Sequence, residues 1–146
     1  RSIAFVRVAN KPNIQEDFGE CRRINEVAIA GLASQRATEE DLAALAEAVR
    51  MLESNPDDYM NDLRFHDALA IASHNMMLAA TIHLVNSMIA DIRVRFFGRP
   101  DYQRRSQESH IAIYEAVRDR DEERAKREMD RHLKIVEDFA RKYPDH

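Results

Sequence analysis

Residues 110–133 read HIAIYEAVRDRDEERAKREMDRHL and contain the pattern from which we infer the fold. On both sides of Arg120, apolar residues recur at the three- and four-residue spacing of an α-helix, with charged residues between them. The stretch therefore predicts two helices joined by a turn near Arg120 and packed in opposite directions. The two inward stripes are Ile113, Tyr114 and Val117 before the turn, and Ala125, Met129 and Leu133 after it.

The same periodicity extends from this hairpin toward the start of the chain. Thr38, followed by three acidic residues, is typical of a helix N-cap, and Pro56 and Pro100 lie in segments that end helices. Asp119 or Asp121 is expected to cap the last helix. The sequence thus predicts an all-α fold, an antiparallel bundle of about six helices. The first predicted helix begins near residue 18, and the second runs from residue 38 to a break at residues 55–57. The next three cover residues 58–73, 76–97 and 102–117, and the last ends near residue 143.

Composition limits the classes of protein that fit. The 146 residues suit one domain, and the formal charge of −4 comes from basic and acidic residues that are interspersed. A DNA-binding domain would usually gather its basic residues on one face, so direct contact of this segment with DNA is not indicated. No apolar run reaches the ~18 residues that a membrane helix needs. Cys21 is the only cysteine, which fits a reducing cytoplasm.

The first seventeen residues differ from the rest. Residues 3–6, IAFV, form a short apolar patch, and Pro12 disfavours a helix just before it. We interpret residues 1–17 as a linker or as the remnant of an upstream domain, and residues 18–146 as the helical domain.

Four ionisable residues fall on the predicted inward faces. Asp62 and His66 are four residues apart on the third helix, so their side chains share a face. His110 lies ten residues before Arg120 and His132 lies twelve after it. At ~1.5 Å per residue, both histidines lie about 15–18 Å from the turn, at one level of the hairpin. The spacing therefore allows the four side chains to converge on one point.

Spacing alone leaves two interpretations of this cluster open. A single histidine on an apolar face is usually an ordinary core residue. Three neutral imidazoles and a carboxylate would instead be satisfied at once by a divalent ion such as Zn, Ni, Fe, Mn or Co. A divalent ion with one aspartate leaves a net positive centre, which would attract the carboxylate of a small organic acid. This second interpretation places a metal and ligand cavity at the centre of the bundle.

Several segments resemble the FCD domain, the effector-binding domain of FadR-type GntR transcription regulators. Residues 62–66, DLRFH, followed by Asn75, resemble its D-x-x-F-H…N motif, and residues 109–117, SHIAIYEAV, resemble its H-x-x-I-x-x-A-I segment. Residues 121–133 match D-x-x-x-A-x-x-x-M-x-x-H-L without a gap. Near the start, Arg22 and Glu26 match R-x-x-x-E, although Asn25 stands where leucine is usual. The resemblance covers about residues 18–140.

The resemblance implies a non-enzymatic sensor rather than a catalyst. It implies a divalent metal (Zn, Ni or similar) held by Asp62, His66, His110 and His132, which in turn coordinates a small carboxylate. Arg22 would contact that ligand, and we assign Asn75 to the ligand site as well. A winged-helix DNA-binding domain would precede this segment, of which residues 3–6 resemble a last strand. The regulator would be a homodimer in the cytoplasm.

Alternatives stay open at several positions. Arg22 could simply pair with Glu26, and Asn75 could cap a helix. A helical metalloenzyme, such as a metal-dependent hydrolase or isomerase, fits the same metal ligands. A metal-free interaction bundle fits core histidines. The remaining histidines are expected at the surface or the pocket edge, and an arginine cluster is expected on a solvated face or dimer rim. These residues are His74, His83 and His146, and Arg93, Arg95, Arg99, Arg104 and Arg105.

Overall fold

The computed structural model describes residues 14–144, without the side chains at positions 91 and 92. Within that range the chain forms helices and no strand, which confirms the all-α prediction. Residues 14–144 form seven helices, where about six were predicted for the chain. They are α1 (Ile14–Arg36), α2 (Glu39–Ser54), α3 (Tyr59–Ala72), α4 (Met76–Met88), α5 (Ala90–Phe97), α6 (Pro100–Arg118) and α7 (Glu122–Lys142).

Short polar side chains fix the starts of four helices. Thr38 and Asp41 form a capping box at α2: Asp41 N–H donates to Thr38 Oγ1 at 3.1 Å, and Thr38 N–H donates to Asp41 Oδ2 at 2.9 Å. Asp58, Asn75 and Asp121 accept comparable bonds at the starts of α3, α4 and α7. These side chains accept hydrogen bonds from backbone N–H groups that the first turn of a helix leaves free. They therefore define the residue at which each helix begins.

The predicted fourth helix is divided in two. It ends at Met88, and α5 begins at Ala90 after Ile89 leaves helical geometry with φ −93° and ψ 2°. Residues 76–97 contain no glycine or proline, so their sequence offered no signal for this break. The first helix also begins earlier than expected, at Ile14 instead of near Phe18. The rest of the predicted linker, residues 1–13, lies outside the described residues.

The bundle is built around α7, which packs against α1 and α6 along much of its length. Arg120, at φ 60°, forms the tight turn between α6 and α7, as the hairpin pattern predicts. The main apolar core lies where α1, α2, α3, α4, α6 and α7 meet. A smaller aromatic cluster closes the end where α5 packs on α6 and α7, and it consists of Phe96, Phe97, Tyr102, Val136 and Phe139.

One face of α4 remains uncovered. Met76, Met77 and Leu84 are 81, 75 and 57% exposed, although α4 is the most apolar of the helices in residues 14–144. None of the helices in residues 14–144 combines the length and apolar character needed to cross a membrane.

The capping box makes a prediction about stability. Replacing Thr38 with alanine removes a hydrogen bond to an otherwise free backbone donor, so we expect the free energy of unfolding to fall by about 1 kcal/mol. Urea denaturation measures it. Thr81→Ala is the matched control, since Thr81 is exposed within α4 and its hydroxyl only donates to Met77 O. An equal loss in both variants would show that the box does not stabilise the fold.

Candidate metal centre

Three helices bring the four predicted ligands together. Asp62 and His66 lie one turn apart on α3, His110 lies on α6 and His132 on α7, and none is more than 1% exposed. One ring nitrogen of each histidine lies within 4.8 Å of the other two. The Oδ1 atom of Asp62 lies 3.3 Å from His110 Nε2 and 3.9 Å from His66 Nε2. The helix spacing seen in the sequence therefore produces a real cluster.

The ring of His132 is oriented by Ser109. The Ser109 hydroxyl has a single proton, which it donates to the Ser106 carbonyl at 2.8 Å. Its 2.6 Å contact with His132 Nδ1 must then use an oxygen lone pair, so Nδ1 carries the hydrogen. In this neutral tautomer the Nε2 atom of His132 has a free lone pair.

The other two histidines are held in a similar way. His66 Nδ1 lies 2.5 Å from Glu26 Oε1, and an ionised carboxylate only accepts, so Nδ1 is again the protonated nitrogen. His110 Nδ1 makes a longer contact of 3.4 Å with Ser106 Oγ. Partners of this kind on the far side of the ring are what metal-binding histidines usually have, because they fix the tautomer and direct Nε2 to the ion.

The inner atoms of the cluster fit a metal. Among residues 14–144, the Nε2 atoms of all three histidines and both oxygens of Asp62 are buried and lack a hydrogen bond of normal geometry. In a tetrahedral zinc site with Zn–N distances of about 2.0–2.1 Å, the ligand nitrogens lie about 3.4 Å apart. Nitrogens at the 4.8 Å limit would therefore need to approach by about 1.4 Å. The donor set suits a borderline divalent ion.

Arg93 was expected on a solvated face or dimer rim, and the structure corrects this. Its side chain is 1% exposed and its Nη2 atom lies 2.7 Å from Asp62 Oδ2. Arg93 faces inward together with Phe96, which is also buried. The pair uses one oxygen of Asp62, and Oδ1 remains directed toward His110. The other four arginines of that cluster are exposed or half-buried.

Two buried pairs of opposite charge surround the histidines. Burial alone would raise the pKa of Glu26, but the Arg22 guanidinium and then His66 outweigh it, and the pKa lies at about 2 instead of 4.5. Burial would likewise raise the pKa of Asp62, but Arg93 and then His110 hold it well below 3.8. Both carboxylates are therefore ionised near neutral pH.

Burial lowers the pKa of two of the histidines, His110 and His132. Burial places the pKa of His132 well below its usual 6.5, and the like charges of His110 and His66 lower it further. Burial also lowers the pKa of His110, although the contact with Asp62 partly opposes this. Neutral imidazoles are the form that binds metals.

The two predicted ligand-binding residues have structural partners. Arg22 binds Glu26, with Nε 2.7 Å from Oε2, and is 3% exposed. Asn75 caps α4 by accepting from Leu78 N–H at 3.1 Å. A ligand contact by either residue stays a prediction. His74 and His83 are exposed, as expected, and His146 lies outside the described residues.

The structure does not show the central cavity that was predicted, and space lies instead on two sides of the cluster. One cavity, of ≈ 430 Å³ including its opening to solvent, is lined by Arg22 and Arg93 among others. A second, of ≈ 240 Å³, borders Asp62 and His110 on another side. The ion pair between Arg93 and Asp62 lies between the first cavity and the cluster.

Sequence reasoning missed four residues of this centre. Arg93 shares a helical face with Ile89 and Phe96, and Glu26 shares one with Ile29 and Ala33, so both faces carried a signal. Nothing in their local pattern distinguishes the serines that hold the rings. The missed residues are Glu26, Arg93, Ser106 and Ser109.

Comparison with known proteins identifies the class. A sequence model described as the FCD domain matches residues 17–134. The chain therefore belongs to the FCD domain family of GntR-type transcription regulators.

Individual relatives carry the names of regulators. The chain is 31% identical to the HTH-type transcriptional regulator LutR of Bacillus subtilis over 133 residues, which are 85% of this chain and 61% of LutR. It is 30% identical to the repressor NanR of Klebsiella aerogenes, covering 82% of this chain and 48% of NanR. It is also 30% identical to the galactonate operon transcriptional repressor of Escherichia coli, covering 75 and 50%. All three relatives are named as regulators, and this chain spans about half to three-fifths of their length.

Solved structures support the same fold. E. coli McbR/YncC matches with a TM-score of 0.80 at 16% identity, over 90% of this chain and 70% of that one. Streptococcus agalactiae GntR matches with a TM-score of 0.72 at 24% identity, over 92% of this chain and 60% of that one. Identities this low establish the fold alone.

The buried histidines make stability depend on pH. Since the pKa values of His110 and His132 lie below 6.5 in the folded protein, the unfolded chain binds more protons below that pH. The free energy of unfolding should therefore fall from pH 7 to pH 5, by up to about 1.4 kcal/mol per pH unit for each histidine. Glu26 and Asp62 add to the loss only at lower pH, below 4.5 and 3.8.

Urea denaturation in the presence of a chelator measures this dependence, because a bound metal would hold the histidines neutral. A free energy of unfolding that rises toward pH 5 would contradict it. His132→Gln should make the dependence shallower, because one titrating group is removed.

Proposed function

We propose that this chain is the effector-sensing domain of a GntR-family regulator in which a divalent metal, held by Asp62, His66, His110 and His132, binds a small organic acid. The main support is the set of three buried imidazoles whose Nε2 atoms lack hydrogen-bond partners among residues 14–144. Their Nδ1 atoms meanwhile contact Glu26, Ser106 and Ser109. Leaving three polar atoms buried and unsatisfied is costly, and one ion satisfies them together.

The charges of the site support an anionic effector. Arg93 neutralises Asp62 and Arg22 neutralises Glu26, so a divalent ion adds two positive charges that nothing else in the described site offsets. The net charge of the centre is therefore more positive than expected from the sequence. That expectation offset the charge of the metal with Asp62 and did not include Arg93. A carboxylate is the natural counter-ion, because it ligates such metals and pairs with guanidinium groups.

The relatives support the same class of effector and a larger assembly. One of them is named for the operon of galactonate, an organic acid. Others are named HTH-type regulators and are longer than this chain. We propose that residues 1–17 join this domain to such a DNA-binding segment in a cytoplasmic homodimer. Effector binding would then favour one arrangement of the two DNA-binding segments, provided that it binds the two arrangements with different affinity.

Metal binding has a direct test. We expect chelator-treated protein to take up one zinc or nickel ion per chain, measured by elemental analysis after desalting. His110→Ala should lose this ion, because it removes a central ligand. The matched control is His83→Ala, since the His83 side chain is 64% exposed and its Nδ1 atom lies 3.1 Å from the Asp67 carboxylate. Wild-type protein that stays free of metal after reconstitution would favour a metal-free interaction bundle.

Effector binding has a second test. Isothermal titration of zinc-loaded protein with aliphatic, hydroxy and sugar acids should find at least one that binds with one site per chain. Its affinity should fall tenfold or more after chelation, since the metal supplies the attracting charge. Binding by none of these acids would contradict the proposed function. Turnover of any acid that stops on chelation would favour a metalloenzyme.

A further inference from the structure

The larger cavity beside the cluster has one charged end. It lies between α1, the start of α5 and α7, and Arg22 and Arg93 both line it. Both guanidinium groups are at least nine-tenths buried, with side chains 3 and 1% exposed. Arg22 contacts Glu26, which holds His66, and Arg93 contacts Asp62. The charged end of the cavity therefore borders the proposed metal site.

Arg93 has buried donor atoms without a partner among the described residues. Within that part of the chain its Nη2 atom contacts Asp62 Oδ2 at 2.7 Å and the Tyr102 hydroxyl at 3.3 Å. Its Nε and Nη1 atoms are buried and have no hydrogen-bond partner among residues 14–144. A buried guanidinium with two free donors is unusual, and a carboxylate oxygen in the cavity would satisfy it.

The walls of the cavity are apolar. Phe18, Ile89, Phe96, Leu133 and Val136 are among the residues that line it, and most of the lining is apolar. Few side-chain hydrogen-bonding groups lie there besides the arginines.

The polar groups that remain offer little to a polyhydroxylated ligand. Gln15 and Glu137 also line the cavity, and Glu137 already accepts a hydrogen bond from Arg23. Each hydroxyl of a sugar acid would thus lose its water without gaining a partner. A methylene group placed against the same walls would instead gain about fourfold in affinity.

We propose that the effector is a carboxylic acid with an unhydroxylated hydrocarbon body. Its carboxylate lies at Arg22 and Arg93 beside the metal, and its body lies between Phe18, Phe96 and Val136. This inference rests on the proposed function, and it adds the chemical class of the acid. In this respect it separates the chain from regulators of polyhydroxylated acids.

A matched pair of acids tests the proposal. Hexanoate and gluconate both have six carbons and one carboxylate, and gluconate carries five hydroxyl groups in addition. Isothermal titration of zinc-loaded protein should give an affinity at least tenfold higher for hexanoate. Affinity should also rise from butanoate to hexanoate, by about fourfold per methylene. Gluconate binding as tightly as hexanoate would overturn the proposal and leave the proposed function standing.

Variants test the location. Val136→Thr places a hydroxyl in the wall at nearly constant volume, and it should lower hexanoate affinity severalfold. The matched control is Val94→Thr, since Val94 is 53% exposed on α5. Equal hexanoate affinity in the two variants would overturn the placement. Arg93→Gln should weaken hexanoate binding tenfold or more, with zinc content checked to show that the centre is intact.

The outcomes separate this proposal from the proposed function. Hexanoate binding that is unchanged by chelation would contradict the role of the metal but not the nature of the body. Failure of hexanoate, while a hydroxy or sugar acid binds, would overturn only the present inference. Failure of every acid would overturn both.

Discussion

The ion pair between Arg93 and Asp62 is the contact on which the centre of this bundle depends. It joins the short helix α5 to α3 inside the protein, where an unpaired charge would be very costly. Removing one partner of such a buried pair typically costs about 3–5 kcal/mol, because the other charge is left uncompensated. The pair also determines what Asp62 can do, since one oxygen is held by Arg93 and the other faces the histidines. A second pair, between Arg22 and Glu26, supports His66 from the opposite side.

Much of the fold was predictable from the sequence, for a physical reason. Helical spacing determines which side chains share a face, and a short turn determines which residues of two helices lie level. Those two rules place Asp62 with His66 and His110 opposite His132, whose ring centroids are 4.3 Å apart. Caps such as Thr38 and Asp121 were predictable because the side chain bonds its own helix.

The features that escaped prediction depend on tertiary structure. The break at Ile89 has no glycine or proline to mark it. An arginine is usually assigned to the surface, because charge is rarely buried without a partner. Ser109 holds His132 and Glu26 holds His66 across helices, so the pattern of their own helices does not indicate these two roles. A central cavity was expected because a metal and its ligand need space there. The ion pair between Arg93 and Asp62 instead lies between the histidine cluster and the larger cavity.

Glu26 has a consequence that reaches beyond its two contacts. One of its oxygens holds His66 and the other holds Arg22, so a single carboxylate connects a proposed metal ligand to the wall of the effector cavity. Metal binding at His66 would change the strength of the hydrogen bond between His66 and Glu26, and thereby the strength of the ion pair between Glu26 and Arg22. Ligand binding at Arg22 would affect His66 by the same free energy. Reciprocity of this kind is a thermodynamic requirement for coupled binding events. The binding of the metal and the binding of the acid would then be coupled, and each would change the dissociation constant of the other by the same factor.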